Sequence, residues 1–350
     1  MFAPILLELF VKVRMLRELI YVDTDKVRSL LSQMDGGVTE DLKVTEKKQG
    51  SLSGGMRNVA SREQVWGSEE SAQRSLADAV FPTLEDALTT EGYLTDVSEE
   101  LATAEPDAFD DFIKEHPPGS ILRISAPARL FDARYLAKAF AGYATAFQGV
   151  TDLNDSEPAN SGNRQRRQGA SAKQRKESSR LITDPLPEAL EQLVDDYDTS
   201  SGLPAISSRQ IQGFIKVARG VFHPGLHIAM KPGGMGDITI TARLQEGRRF
   251  LDSEPEILFA RYGLQDQEWT MVGTVGSYAP GPDFTYEPID ITRGESSVSR
   301  GKIVAAINDV LTLLGSIGLA DQPEYPGLAI VPFAVYRPIL PSGRSNLMPV

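Results

Sequence analysis

The sequence predicts an α+β fold in which helices cover a mixed or antiparallel sheet and the C-terminal part is rich in β-hairpins. The first observation behind this is a strand, an aspartate and a helix in direct succession, at residues 19–34 and again at 120–147. The second is a pair of β-prone runs around a glycine-rich loop at 226–244, which is typical of a hairpin. A sheet built from such units needs helices on at least one face to bury its apolar side.

The first of these units, residues 16–37, is the best-specified stretch of the chain. Residues 19–22 are apolar and strand-prone, and Asp23 follows them as a strong helix N-cap. Apolar residues then recur at the spacing of one helix face, at Val27, Leu30, Leu31 and Met34. A Gly-Gly pair predicts the end of the helix, because glycine enters the left-handed cap conformation without steric cost.

The remaining elements follow from period and turn chemistry. Helices are predicted at 108–116 and, after a cap at Asp132, at 133–147, with a strand between them at 120–131. Periods mix between 211 and 222, so both helix and strand stay open there. Hairpins are predicted at 226–244 and 257–275, and a last strand at 328–336. A helix over 297–317 is expected to bury one face, made of Ile303, Ala306, Ile307, Val310, Leu311 and Leu314.

Composition and low-complexity segments predict the domain organisation. The chain has 350 residues, 41% of them hydrophobic and 24% charged, which is ordinary for a soluble globular protein. Polar residues dominate 151–180, and we expect this segment to be a disordered basic linker. It would separate an N-terminal α/β lobe, 15–150, from a C-terminal α+β lobe, 181–350. Residues 1–14 are interpreted as an N-terminal extension.

Cysteine usage and hydropathy predict the compartment. The chain has no cysteine, which excludes disulfides, thiolate nucleophiles and zinc ribbons and favours a reducing compartment. Its apolar runs are shorter than the ~18–20 residues that a membrane-spanning helix needs. We therefore expect a cytoplasmic protein with no membrane span.

The charge distribution is uneven, although the net charge is −12. The linker concentrates basic residues, and an acidic chain outside this tract would repel a nucleic-acid backbone. Nucleic-acid binding through the tract is one functional hypothesis, but the tract has no aromatic residue for base stacking, so a solvated linker is the preferred interpretation. The candidate contacts are Arg164, Arg166, Arg167, Lys173, Arg175 and Lys176.

Asp23 and Asp25 are the candidate catalytic residues. They match the D-x-D pattern that opens the haloacid dehalogenase phosphatases, in which the first aspartate attacks phosphorus and the second acts as acid and base with Mg²⁺. That chemistry needs a distal acidic pair, for which Asp195 and Asp196 are the one adjacent candidate, inside a helical pattern. Helix capping is the default interpretation of Asp23.

Other motifs do not add a site. His223 and His227 have the spacing of a helical metal pair, but Pro224 and Gly225 lie between them. His116 stands beside two prolines, so the sequence predicts no three-ligand zinc site and no metal site. The loop at 231–236 is glycine-rich but precedes a strand, whereas phosphate loops open helices.

Residues 21–37 and the segment 270–275 together resemble a bacterial family of unknown function. Its members begin with a similar strand, then Asp, then a helix ending near Ser-Gln. The resemblance extends to about residue 336, with 151–180 outside it, and implies a shared fold unit and a prokaryotic cytosolic origin. It implies no catalytic residue.

Three functional hypotheses follow. The leading one is a non-enzymatic binding or regulatory protein without a cofactor, because only Asp23 and Asp25 offer paired catalytic chemistry. The alternatives are a Mg²⁺-dependent phosphohydrolase using these aspartates and nucleic-acid binding through the linker. The sequence leaves the partner open between another protein and a second copy of the chain.

Overall fold

The computed structural model describes residues 16–34, 80–154, 207–222, 225–281 and 299–339. These residues form eight α-helices and one seven-stranded sheet. Parallel and antiparallel pairings both occur in the sheet, so it is mixed. The predicted α+β class is confirmed.

The strands are β1 (Arg17–Val22), β2 (Leu94–Asp96), β3 (Ile121–Phe131), β4 (His227–Met230), β5 (Thr239–Arg243), β6 (Gln267–Tyr278) and β7 (Gly327–Pro338). Three strands, β3, β6 and β7, are longer than the other four.

Two long strands, β3 and β7, close the sheet on itself. The central strand β6 pairs antiparallel with both of them. On its other flank, β3 pairs with β4, β4 pairs with β5, and β5 returns to β7 in parallel. The result is a barrel-like ring of β3, β4, β5, β7 and β6, with β1 and β2 added outside it on β7 and β3. In this ring every strand pairs with a neighbour on each side over at least part of its length.

The described residues also form eight helices. They are α1 (Thr24–Met34), α2 (80–90), α3 (Ser98–Thr103), α4 (Phe109–Glu115), α5 (Ala133–Asn154), α6 (Ser208–Val221), α7 (Pro255–Tyr262) and α8 (Arg300–Ser316). A 3₁₀ turn, Pro106–Ala108, precedes α4.

Two apolar clusters divide the faces of the sheet between them. Alternation along the strands explains the division: Trp269 and Met271 belong to the larger cluster, and Val272 belongs to the smaller. Side chains of α3, α4 and α7 complete the larger cluster. The smaller one lies under α1 and α2, where Val27 and Phe81 are fully buried.

A buried carboxylate fastens α2 to three strands. Glu85 is 1% exposed, and its Oε1 accepts hydrogen bonds from Arg123 Nε and the Tyr336 hydroxyl, both at 2.9 Å. Its Oε2 lies 2.5 Å from Arg17 Nη1, an ion pair without hydrogen-bond alignment. Burial and the charge of Glu85 raise the pKa of the Tyr336 phenol.

The predicted lobes, 15–150 and 181–350, both contribute strands to this sheet. Most of the predicted linker lies outside the described residues, as do 1–14. At its start, α5 continues to Asn154, beyond the predicted boundary at 151, since neither Gly nor Pro interrupts residues 150–154.

Two predictions for the C-terminal part are wrong: the strand at 257–262 and the hairpin at 257–275. Residues 257–262 lie in helix α7, not in a strand: Pro255 suits its first turn, and Leu258, Phe259 and Tyr262 are buried at helical spacing. The strand β6 therefore pairs with β3 and β7 instead of closing a hairpin with this segment.

The predicted buried face of α8 is also wrong. Ile307, Val310 and Leu311 are 54%, 39% and 44% exposed. Periodicity identifies an apolar stripe, whereas its burial needs a covering element that the stripe itself does not specify.

The segment with mixed periods is a helix. The start of α6 is fixed by a capping box: Ser207 N donates to Gln210 Oε1 at 2.9 Å, and Ser207 Oγ accepts from Gln210 N at 3.3 Å.

Among the described residues, no helix combines the length and apolarity needed to cross a membrane.

Candidate functional site

A pocket of about 810 Å³ opens along one flank of β7. Two strands share this flank: β5 pairs with Gly327–Ala329, and β1 pairs with the stretch from Ala334 to Pro338. Residues 330–332 lie between the two ladders and line the pocket. Pro332 suits this gap, because proline has no N–H to offer a neighbouring strand.

The walls of the pocket come from segments far apart in the chain. Its polar lining combines three cationic side chains, two acids, a histidine and a glutamine: Lys26, Arg134, Arg243, Glu246, Asp321, His227 and Gln245. Apolar residues, including Phe250 and the 40%-exposed Val331, contribute to the same lining. The pocket therefore presents a cationic surface beside an apolar one.

Asp23 forms hydrogen bonds that position two residues at one edge of the pocket. Its Oδ1 accepts from Lys26 N at 3.0 Å, which is the predicted helix cap. Its Oδ2 accepts from Lys26 Nζ at 2.7 Å and from Gln245 Nε2 at 3.2 Å. One carboxylate thus starts α1 and positions two of the side chains that line the pocket.

Arg134 is held at the pocket by two acids. Its Nη2 lies against Glu246 Oε1 and 3.7 Å from Asp132 Oδ2. Asp132 is 3% exposed and caps α5, accepting from Arg134 N at 2.8 Å, which confirms the predicted cap. In both strand–aspartate–helix units, the first turn of the helix therefore contributes a basic residue, Lys26 or Arg134, to the pocket lining.

Gly225 allows the pocket wall to close tightly around Arg243. Its φ is +137°, and a Cβ at this position would lie 3.3 Å from Arg243 Nε and 3.4 Å from Glu246 Oε1. The backbone conformation favours glycine here, and a Cβ would also press against the Arg243 and Glu246 side chains.

The structure places the two candidate catalytic aspartates in different surroundings. Asp23 is buried, whereas the Asp25 side chain is 57% exposed and pairs with Arg249. Arg249 Nε also donates to Thr24 Oγ1 at 3.2 Å. Within the described ranges, no third acid joins these aspartates in a cluster that could hold one ion. Asp195 and Asp196 lie outside the described residues, and so does the basic tract with its six candidate contacts.

Of the residues singled out from the sequence, His227 reaches the pocket. It lies in β4, as predicted for a strand histidine, with Nδ1 3.9 Å from Asp321 Oδ1. Sequence reasoning missed Arg134, Arg243 and Gln245. No motif joins them, because Arg134 lies in the first turn of α5 whereas Arg243 and Gln245 lie far along the chain, at and just after the end of β5.

Comparison with known proteins identifies the family. The chain matches the family model described as "Domain of unknown function (DUF6414)" over residues 16–336, and it belongs to that family. This confirms the resemblance to a family of unknown function. No curated protein and no solved structure matches the chain.

Proposed function

We propose that this member of the family is a non-enzymatic binding protein whose ligand is a small organic anion with an apolar body. The observation that carries the proposal is the pocket along β7, which three cationic side chains line together with apolar residues. A volume of about 810 Å³ lies in the range of small-molecule sites. The expected ligand places a carboxylate or phosphate against the cations and its apolar part against Phe250 and the exposed Val331.

The acids in the pocket do not prevent this. The Lys26 and Arg134 side chains are 38% and 36% exposed, and Glu246 is 41% exposed. Ion pairs this exposed contribute only ~0–1 kcal/mol each. Arg134 can therefore exchange Glu246 for a bound anion at small cost, whereas Lys26 also pairs with the buried Asp23 and would be shared between that carboxylate and the anion.

The experiment compares benzoate and phenyl phosphate with benzamide, an uncharged analogue of benzoate, by isothermal titration calorimetry. We expect the two anions to bind and benzamide to bind more weakly. Arg243→Gln should weaken anion binding ~10-fold or more, because hydrogen bonds to charged groups contribute ~1.5–3 kcal/mol. Arg243 is exposed, so this change should leave the fold intact.

The matched control is Arg129→Gln. Arg129 is also exposed and paired, with Nε 2.6 Å from Asp266 Oδ1, but it does not line the pocket. Equal binding of benzamide and benzoate, or equal loss of affinity in both arginine variants, would contradict the proposal.

The phosphohydrolase and nucleic-acid hypotheses remain predictions. The contacts of Asp23 with Lys26 and Gln245 support an architectural role for this carboxylate. A cytoplasmic location also remains part of the proposal, supported by the absence of cysteine from the chain.

A further inference from the structure

Three potential metal ligands meet at the C-terminal end of α4, and none of them lines the pocket along β7. Glu100 belongs to α3, Glu115 is the last residue of α4, and His116 follows it. One ligand atom from each lies within 4.8 Å of the other two. His116 Nε2 and Glu100 Oε2 are 3.6 Å apart.

The imidazole of His116 is buried and has an unused nitrogen. Its side chain is 7% exposed, and Nε2 is buried without a hydrogen-bond partner. A buried polar atom left unsatisfied costs ~1–3 kcal/mol, so this nitrogen needs a ligand to explain it.

The surroundings fix the direction of this nitrogen. The Phe112 ring lies 4.7 Å from the imidazole. His116 N donates to Phe112 O at 2.9 Å, and the Tyr278 hydroxyl donates to His116 O. With backbone and ring both held, Nε2 stays near the Glu100 carboxylate.

The spacing suits a shared ion better than a direct contact. A hydrogen bond would bring N and O to ~2.7–3.2 Å, less than the 3.6 Å between Nε2 and Glu100 Oε2. Two ligands at ~2.1 Å from one tetrahedral ion lie ~3.4 Å apart. The Glu115 side chain is exposed, and its ligand atom lies within 4.8 Å of the other two.

We infer that Glu100, Glu115 and His116 form a binding site for a divalent transition-metal ion. One imidazole and two carboxylates suit ions of the Zn²⁺ and Mn²⁺ class, whereas Mg²⁺ and Ca²⁺ prefer oxygen ligands alone. Three protein ligands leave a coordination position open for water or another molecule.

The test is calorimetric titration of the full chain with ZnCl₂ in excess Mg²⁺, which occupies non-specific carboxylates. We expect one Zn²⁺ per chain. Glu100→Gln and Glu115→Gln should each weaken binding ~10-fold or more, as losses around metal ligands do. Glu99→Gln removes the same charge from an exposed neighbour on α3 and should leave the affinity unchanged.

Imidazole NMR provides a second readout, since the chain has 3 histidines. Zn²⁺ should shift the Nε2 resonance of His116, and His227→Gln should leave this shift unchanged. His116→Gln removes a buried ring and can lower stability, so the two carboxylate variants carry the decision.

Each remaining outcome overturns the inference. Zn²⁺ affinity that survives both Glu100→Gln and Glu115→Gln would show that the ion binds elsewhere. A His116 resonance that Zn²⁺ does not shift would reduce the cluster to a histidine beside two acids. Binding of Ca²⁺ without binding of Zn²⁺ or Mn²⁺ would exclude the proposed class of ion.

Discussion

Replacing Asp23 by alanine and by asparagine separates its two candidate roles. Asparagine is as good an N-cap as aspartate, so Asp23→Asn keeps an oxygen for Lys26 N and loses the negative charge. Alanine loses both. A nucleophile, by contrast, is abolished equally by either change.

The structure sets the size of the effects. Asp23→Ala loses the cap, ~1 kcal/mol, the Gln245 bond, ~1 kcal/mol, and the ion pair with the half-exposed Lys26, ~0–1 kcal/mol. We expect a total of ~2–3 kcal/mol in the free energy of unfolding. Asp23→Asn should lose ~1 kcal/mol or less, because the Gln245 amide can turn its oxygen toward the new N–H₂ group.

Urea unfolding followed by circular dichroism measures both variants, with Asp25→Asn as control. Asp25 forms an exposed pair with Arg249, which should contribute at most ~1 kcal/mol. Hydrolysis of a generic phosphate ester with Mg²⁺ is assayed in parallel. Parent activity that Asp23→Asn abolishes at unchanged stability would refute the capping argument, and so would equal destabilisation by Ala and Asn.

Two further predictions concern Gly273 in β6 and Tyr262 in α7. A Cβ on Gly273 would lie 2.5 Å from Val331 O and 2.8 Å from Pro332 Cα, so Gly273→Ala should destabilise the protein by ~1–3 kcal/mol in urea unfolding. The control is Gly142→Ala in helix α5, where the added Cβ would meet no atom within 4 Å apart from the backbone of the helix itself. This change should be neutral or stabilising in the same urea titration. Burial and the hydrogen bond to Glu18 raise the pKa of Tyr262 from 10.0 to about 12. The contribution of this phenol to stability is therefore complete below pH 10 and is lost as the pH rises toward 12. In unfolding free energies measured from pH 9 to 11, Tyr262→Phe should flatten that decline. An equally steep decline in both proteins would contradict the assignment.

Sequence signals were sufficient to predict an element when its own residues mark its start, its buried face and its end. Residues 19–34 combine an apolar run, a capping aspartate and a helical stripe, and the structure confirms β1, the cap and α1. The same holds for β3, Asp132 and α5. The β4–β5 hairpin was predictable because its two runs are adjacent in sequence.

Prediction failed where the decisive partner is distant. The apolar run 257–262 is compatible with the periodicity of a helix and with that of a strand. Its packing in the larger cluster favours the helix. The apolar stripe of α8 likewise does not specify its own covering. His116 looked isolated because Glu100 lies 16 positions earlier in the chain, on a helix that only the packing of α3 beside α4 brings near it.

By itself, the sequence determined the α+β class, the two aspartate caps, the absence of thiol chemistry and the family resemblance, because these depend on composition or on neighbours a few residues apart. The tertiary structure alone decided the closure of the ring, the pocket and the grouping of Glu100, Glu115 and His116. Closure joins β5 and β1 to one flank of β7, and the gap between those two ladders exists only once strands from both halves of the chain have paired.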